Sequence, residues 1–292
     1  MTDRLYAEQM EMADLTAGDY FDQDGILCCG MCHTRKVHII GNDFSFLGFH
    51  GPKAVRCLCE CESRKRDEEA AARALQEKLH RIDRLKRVCF TDVSFHDVKL
   101  ENCDKLPDHI IQICHQFIEH WDENRSKNCG LLFWGGVGNG KTTAAAAIAN
   151  ALLEKEVPVL MRNFGAFLNA TFEEKEELFR LVSEAGLVVL DDFGMERGTE
   201  YSIETVFSVI DARYNSKKPV IITTNLPLKT INNPGDVAHK RSYDRISEMC
   251  VPVFFEGDSL RKVIGEEKKK QFIEQEQCSE NIENTMSDKG GN

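Results

Sequence analysis

The run Gly135-Gly136-Val137-Gly138-Asn139-Gly140-Lys141-Thr142 constrains this chain more than any other feature. It matches G-x-x-x-x-G-K-[ST] at every fixed position. Before it stands a short apolar run, Leu131-Leu132-Phe133-Trp134, which reads as a buried strand. After it stands an alanine-rich stretch from Thr142 to Leu153, which reads as a helix. A glycine-rich turn between those elements closes backbone N–H groups on phosphate, and the helix dipole faces the same anion. Lys141 is then the cation for the β- and γ-phosphates, and the Thr142 hydroxyl is the expected ligand of Mg²⁺. Gly135 through Thr143 form the expected binding segment for ATP. The bland alternative is a flexible turn with a chance lysine, which leaves both flanking elements unexplained.

Such a turn requires a parallel sheet around it. The segments Val157 to Met161, Leu187 to Leu190, Val220 to Thr224 and Val251 to Phe255 read as further strands, and Val206 to Tyr214 reads as a helix. Strands alternating with helices predict an α/β fold with a mostly parallel sheet flanked by helices. Asp191 ends the run Leu187-Val188-Val189-Leu190. A carboxylate at the C-terminal end of a buried strand lies beside the phosphate turn, where it can hold the water shell of Mg²⁺. Asp192 follows as candidate base for an attacking water. Thr223-Thr224-Asn225 closes another buried strand, and the Asn225 amide can orient a water or meet the γ-phosphate. The alternatives are two acids in a solvated turn and an asparagine that starts a turn before Pro227.

Cysteine is over-represented, at 12 residues, and six of them fall between Cys28 and Cys61. Cys29-Gly30-Met31-Cys32 is a C-x-x-C on a glycine-bearing turn, and Cys57-Leu58-Cys59-Glu60-Cys61 follows it. Two close pairs separated by a loop fit a structural Zn²⁺ site. The expected ligands are Cys29, Cys32, Cys59 and Cys61, with Cys57 as the substitute; ordinary buried or redox-active thiols are the alternative. From about Glu62 to Val88 the chain reads as one helix with Leu75, Leu79, Ile82 and Leu85 on one face. Its many arginines and lysines suit either a partner or nucleic-acid face or a solvated linker. Near Pro107 a second amphipathic helix begins, with Ile110, Cys114, Phe117 and Trp121 on one stripe.

In their order and spacing, four markers resemble the AAA+ ATPases. They are Gly-Gly-Val-Gly-Asn-Gly-Lys-Thr, Leu-Val-Val-Leu-Asp-Asp-Phe-Gly, Ile-Ile-Thr-Thr-Asn-Leu and Tyr-Asp-Arg-Ile. Within that class the stretch from Phe90 to Ile264 resembles the DnaC/DnaI helicase loaders and the IstB-like transposition ATPases. The resemblance implies Walker A at Lys141 and Thr142, Walker B at Asp191 and Asp192, and sensor 1 at Asn225. It implies an arginine finger at Arg245, aimed at a neighbouring subunit's ATP, and sensor 2 at Arg261. Asp192 departs from the Glu that many AAA+ proteins carry. Phe164 to Arg180 resembles a short form of the extra helical insertion of loaders, with Phe164, Phe167, Phe172 and Phe179 either in the core or stacked on single-stranded DNA.

The function implied is ATP-dependent loading of a hexameric replicative DNA helicase, with single-stranded DNA contact and self-assembly through the ATP site. An accessory ATPase for transposition shares every nucleotide motif. A metabolite kinase would need an acceptor pocket and lid and would not need Asn225, Arg245 and Arg261; a chain that holds ATP as a structural ligand without turnover is a third alternative. The cysteine module is similar to that of DnaI-type loaders.

The expected organisation is a zinc module at 1–61, a linker helix at 62–89, an ATPase domain at 90–264 and a flexible tail at 265–292. A net charge of −11 argues against coating duplex DNA by bulk electrostatics. No apolar run reaches the ~18 residues of a membrane span, and Met1 to Leu15 lacks the apolar core of a secretory signal, so a cytoplasmic location is expected.

Overall fold

The computed structural model describes residues 16, 18–40, 53–194, 199–234, 237–257, 259–260, 262, 265–266, 268–270 and 272. Arg261 and most of the tail expected at 265–292 lie outside the described residues. The chain divides into two compact units between His80 and Arg81. That division falls inside a helix, α1 (Glu60–Cys89), which starts two residues before the expected Glu62.

Unit one contains two antiparallel ribbons. β1 (Tyr20–Phe21) pairs with β2 (Leu27–Cys28), and β3 (Val37–Ile40) pairs with β4 (Lys53–Arg56). Their apolar core is small: Ile26, Leu27 and Val37, with Ile39 packed against it. The α1 residues Leu75 and Leu79, at 59% and 57% exposed, are not part of any core.

Unit two is built on a five-stranded parallel sheet. Its strands are β5 (Gly130–Gly135), β6 (Val159–Asn163), β7 (Leu187–Phe193), β8 (Val220–Thr224) and β9 (Cys250–Phe255), in the order β6-β7-β8-β5-β9. β5 lies inside the sheet, with Leu131 opposite Ile221 on one side and Val251 on the other. Its Leu131, Leu132 and Phe133 are buried because both faces of the sheet are covered. β6 begins at Val159, two residues later than expected. Pro158 has no N–H for a ladder, and its carbonyl instead accepts from Gly186 N.

One face of the sheet receives α4 (Lys141–Glu154) and α2 (Asp108–Glu119). Ile110, Cys114 and Phe117 of α2 are buried as the stripe predicts, but Trp121 opens a separate helix, α3 (Trp121–Ser126). The other face receives α5 (Phe164–Asn169), α6 (Phe172–Glu184), α7 (Glu200–Ser216), α8 (Leu228–Asn232) and α9 (Val237–Met249). A capping box, Thr171 with Glu174, starts α6. Phe164 and Phe167 are core residues and Phe179 packs against them, whereas Phe172 is 77% exposed. Arg162 donates to the carbonyls of Val88 and Cys89, which caps the last turn of α1.

Arg213 of α7 is the most buried charge in the sheet's surroundings, at 0% exposure. Its guanidinium donates to the carbonyls of Val182, Ala185, Gly186 and Pro219. It thus ties the end of α6 to the starts of β7 and β8, and burial lowers its pKa to about 9. Arg213→Met removes every donor and leaves buried carbonyls unpaired. Unit two is expected to lose on the order of 3 kcal/mol, read as a lower urea midpoint with an unchanged slope.

Candidate nucleotide and metal sites

β5 ends at Gly135 and α4 starts at Lys141, so the intervening loop must turn sharply at the edge of the sheet. Gly140 takes φ +85° as the cap of α4. That left-handed conformation favours glycine, and a Cβ there would also press on Leu106 Cδ2 at 2.5 Å. Asn139 Nδ2 donates to the carbonyls of Phe255 and Gly257, at 3.1 and 3.0 Å, and Leu260 N donates to Gly138 O at 2.9 Å. The loop is therefore fastened to the segment that follows β9.

A cavity of about 540 Å³ opens over this loop. Val137 to Thr143, Asp192 and Asn225 line it, together with Asn102 to Leu106 and Leu260. Gly135 and Gly136 stand behind it, and their carbonyls accept from Lys141 Nζ at 3.1 and 2.5 Å. Asp191 is half-buried at the C-terminal end of β7. Its Oδ1 accepts from Thr142 Oγ1 at 2.9 Å and from Thr223 Oγ1 at 2.6 Å. Burial pushes the Asp191 carboxyl above its usual range, against the pull of those two hydroxyls. Asp192 is exposed and takes φ +56°, a left-handed conformation that turns the chain out of the ladder.

The expected residues Lys141, Thr142, Asp191, Asp192 and Asn225 are thus brought to one place. Arg245 is not. It lies on α9, its Nη2 is 2.6 Å from Asp211 Oδ1, and its guanidinium lies over the rings of Phe207 and Tyr214. Sequence reasoning missed the wall made by Asn102 to Leu106 and Leu260. Asn102 to Leu106 carry no motif, Leu260 stands only as the neighbour of the expected Arg261, and the fold alone sets them across from Gly140.

Unit one holds a second arrangement. The Sγ atoms of Cys29, Cys32, Cys59 and Cys61 lie within 4.8 Å of one another. Cys29 Sγ accepts from Met31 N and Cys59 Sγ from Glu62 N, the outer-shell support that metal-bound thiolates use. Cys57 points elsewhere, its Sγ donating to Arg35 O. Hydrogen bonds from Thr34 draw the Cys32 thiol down to about 5, while the neighbouring Cys32 pushes Cys61 up to about 12. Four crowded thiols resist shared ionisation, which a divalent cation relieves. A four-sulfur donor set suits Zn²⁺ in tetrahedral coordination.

Buried Lys36 joins the two cysteine turns. Its Nζ meets Asp19 Oδ2 at 2.7 Å and Glu62 Oε1 at 3.1 Å. Asp19 accepts from Gly30 N in the first turn, and Glu62 accepts from Cys59 N in the second. The Lys36 hydrogen bond holds the Asp19 carboxyl well below the usual carboxylate range.

Residues 66–269 match the family described as IstB-like ATP binding protein. The chain belongs to that family. Among curated relatives, the replicative helicase loader DnaC of Escherichia coli (strain K12) is 29% identical over 161 residues, covering 52% of this chain and 63% of that protein. The match thus spans less than two thirds of DnaC. The replicative helicase loader DnaI of Bacillus subtilis (strain 168) is 27% identical over 223 residues, covering 69% of this chain and 68% of DnaI. A crystal structure of DnaI superposes with a TM-score of 0.50 at 20% identity, covering 60% of this chain and 98% of that one. Sheet order, phosphate loop and these likenesses define the AAA+ P-loop fold. Among the described residues no helix is long and apolar enough to cross a membrane.

Two outcomes test the sites. Lys141→Ala is expected to abolish binding of a fluorescent ATP analogue while the circular dichroism spectrum stays unchanged. The purified IstB-like chain is expected to carry about one zinc, since structural zinc sites bind with on the order of 10–16 kcal/mol. Cys29→Ser or Cys32→Ser should release it and unfold unit one alone, as read by elemental analysis and limited proteolysis.

Proposed function

We propose that this chain is an ATP-driven loader of a hexameric replicative DNA helicase. The observation that carries the reading is that Lys141, Thr142, Asp192 and Asn225 line one cavity and Asp191 is hydrogen-bonded to Thr142 at its edge, in a chain whose relatives are named replicative helicase loaders. Residues Val137 to Thr143 hold the phosphates of ATP through their N–H groups. Lys141 exchanges the carbonyls of Gly135 and Gly136 for phosphate oxygens. Thr142 and Asp191 hold Mg²⁺, which supplies charge neutralisation when bound. Asp192 takes the proton of the attacking water, and the Asn225 amide aligns that water. Arg261, next in sequence to Leu260, is the proposed sensor 2.

Arg245 serves a neighbouring subunit in this reading, so hydrolysis requires assembly. In the isolated chain its charge is satisfied by Asp211, and its Nη1 is buried with no hydrogen-bond partner among the described residues. Moving to a neighbour's phosphate exchanges one carboxylate for another anion. Single-stranded DNA is the further partner proposed, but the exposed Phe172 stands beside Glu173, Glu174, Glu176 and Glu177. That acidity disfavours α6 as the place of contact. The four-cysteine cluster favours a helicase over a transposase as partner, because it adds a separate docking module to the nucleotide core.

Pull-down of the intact chain with the host replicative helicase tests the partner, and ATP is expected to change the amount recovered. Recovery of a transposase and no helicase would overturn the loader reading. Arg245→Ala should bind ATP normally yet lose assembly-dependent hydrolysis, a term worth roughly 10³–10⁵ in rate in the systems best characterised. Mixing it with Lys141→Ala should restore part of the rate, because one interface then joins an intact loop to an intact finger.

A further inference from the structure

β7 and β8 pair regularly at Leu190–Ile222 and again at Phe193–Thr224. Between those pairs β7 has two residues, Asp191 and Asp192, and β8 has one, Thr223. This is a β-bulge, and Thr223 is the sole β8 residue opposite both acids. Its side chain does the work that the interrupted ladder leaves undone. Thr223 Oγ1 donates its single proton to Asp191 Oδ1 at 2.6 Å and accepts from Asp192 N at 3.0 Å. Thr224 fastens the next step, donating to Phe193 O and accepting from Leu226 N. A non-glycine residue at positive φ persists only where its surroundings over-determine it. Those bonds supply that determination for Asp192.

We propose that Thr223 is the positioning residue of this site: it fixes the direction of the Asp191 carboxylate and the outward turn of Asp192 together. The inference rests on the reading of Asp191 and Thr142 as the Mg²⁺-holding pair. In the free chain both Thr142 and Thr223 donate to the same oxygen, Asp191 Oδ1. Once the Thr142 hydroxyl turns to the metal, Thr223 is the remaining side-chain hydroxyl on Asp191. Thr223 is fully buried, so no water replaces it. It touches no phosphate itself, since the cavity wall at this end consists of Asp192 and Asn225.

The test uses the full chain and a fluorescent ADP analogue, titrated with and without Mg²⁺. Thr223→Val keeps the shape and removes the hydroxyl. Affinity without metal is expected to stay at the wild-type value. The gain in affinity on adding Mg²⁺ is expected to fall by about 10–100-fold, the range for loss of an outer-shell partner of a metal site. Thr223→Ser, which keeps the hydroxyl, should restore the gain. In helicase-stimulated hydrolysis kcat should fall in the Val chain and return in the Ser chain. A Val chain with the wild-type Mg²⁺ gain overturns the proposal, and so does a Ser chain as impaired as Val. If the Val chain does not fold, Thr223→Ala adds no bulk and takes its place under the same criteria. A wild-type chain that gains from Mg²⁺ but hydrolyses no ATP refutes the ATPase reading and leaves the Thr223 comparison decisive. A wild-type chain with no Mg²⁺ gain refutes the proposal itself.

Discussion

Ala144, Ala145, Ala146, Ala147 and Ala149 are all buried on α4, and with Ile148 they face the sheet and its neighbours almost without side-chain bulk. Methyl groups let a helix backbone lie close to the strands, and a close-packed interior fixes that distance. The first turn of α4 is thereby set against the C-terminal end of β7. The 2.9 Å bond between Thr142 and Asp191 is the direct product of that distance. Longer side chains at those of these positions that meet the strands would lift α4 outward and part the hydroxyl from the carboxylate. The site therefore depends on small residues one to six positions beyond Thr143, which touch no phosphate themselves. Gly140 obeys the same constraint from the opposite side, where Leu106 closes on it.

What the sequence made legible is what local chemistry decides. Glycines and Lys141 mark the loop, and apolar runs ending in Asp191 and Asn225 mark strands whose ends must meet it. The parallel order follows from helices between strands. Other features were hidden because they depend on partners distant in the chain. Nothing near residue 192 announces a bulge, since the extra residue is defined by where β8 resumes pairing. Leu106 and Leu260 face Gly140 only after the sheet has formed. Arg245 reads as a motif residue, yet Asp211 on another helix decides where its charge rests. Trp121 shows a further limit: periodicity placed it on the right face, but the helix breaks at His120 before reaching it.

The cysteine unit illustrates the reverse case. Spacing alone left Cys57, Cys59 and Cys61 competing. Geometry separates them, because Cys57 precedes the helix and bonds back to Arg35, while Cys59 and Cys61 straddle the first turn of α1. With so few apolar residues buried among the described residues of unit one, their order rests on polar links. Lys36 and Thr34 each reach both cysteine turns, Thr34 through Cys32 Sγ and Glu60 N. Such a small core needs a staple, whether covalent or metallic.

The phosphate-loop pattern treats its third variable position after Gly136 as free, and Asn139 occupies it. Here that position is already spoken for. Both Nδ2 hydrogens of Asn139 are spent on two carbonyls, that of Phe255 at the end of the edge strand and that of Gly257 two residues further on. A carboxamide is the side chain whose one nitrogen offers two such donors at that reach. The number of residues between the sheet and the C-terminal segment is therefore locked to the chemistry of position 139. An insertion or deletion there would orphan one hydrogen, and a hydroxyl at 139 could serve only one of the two carbonyls.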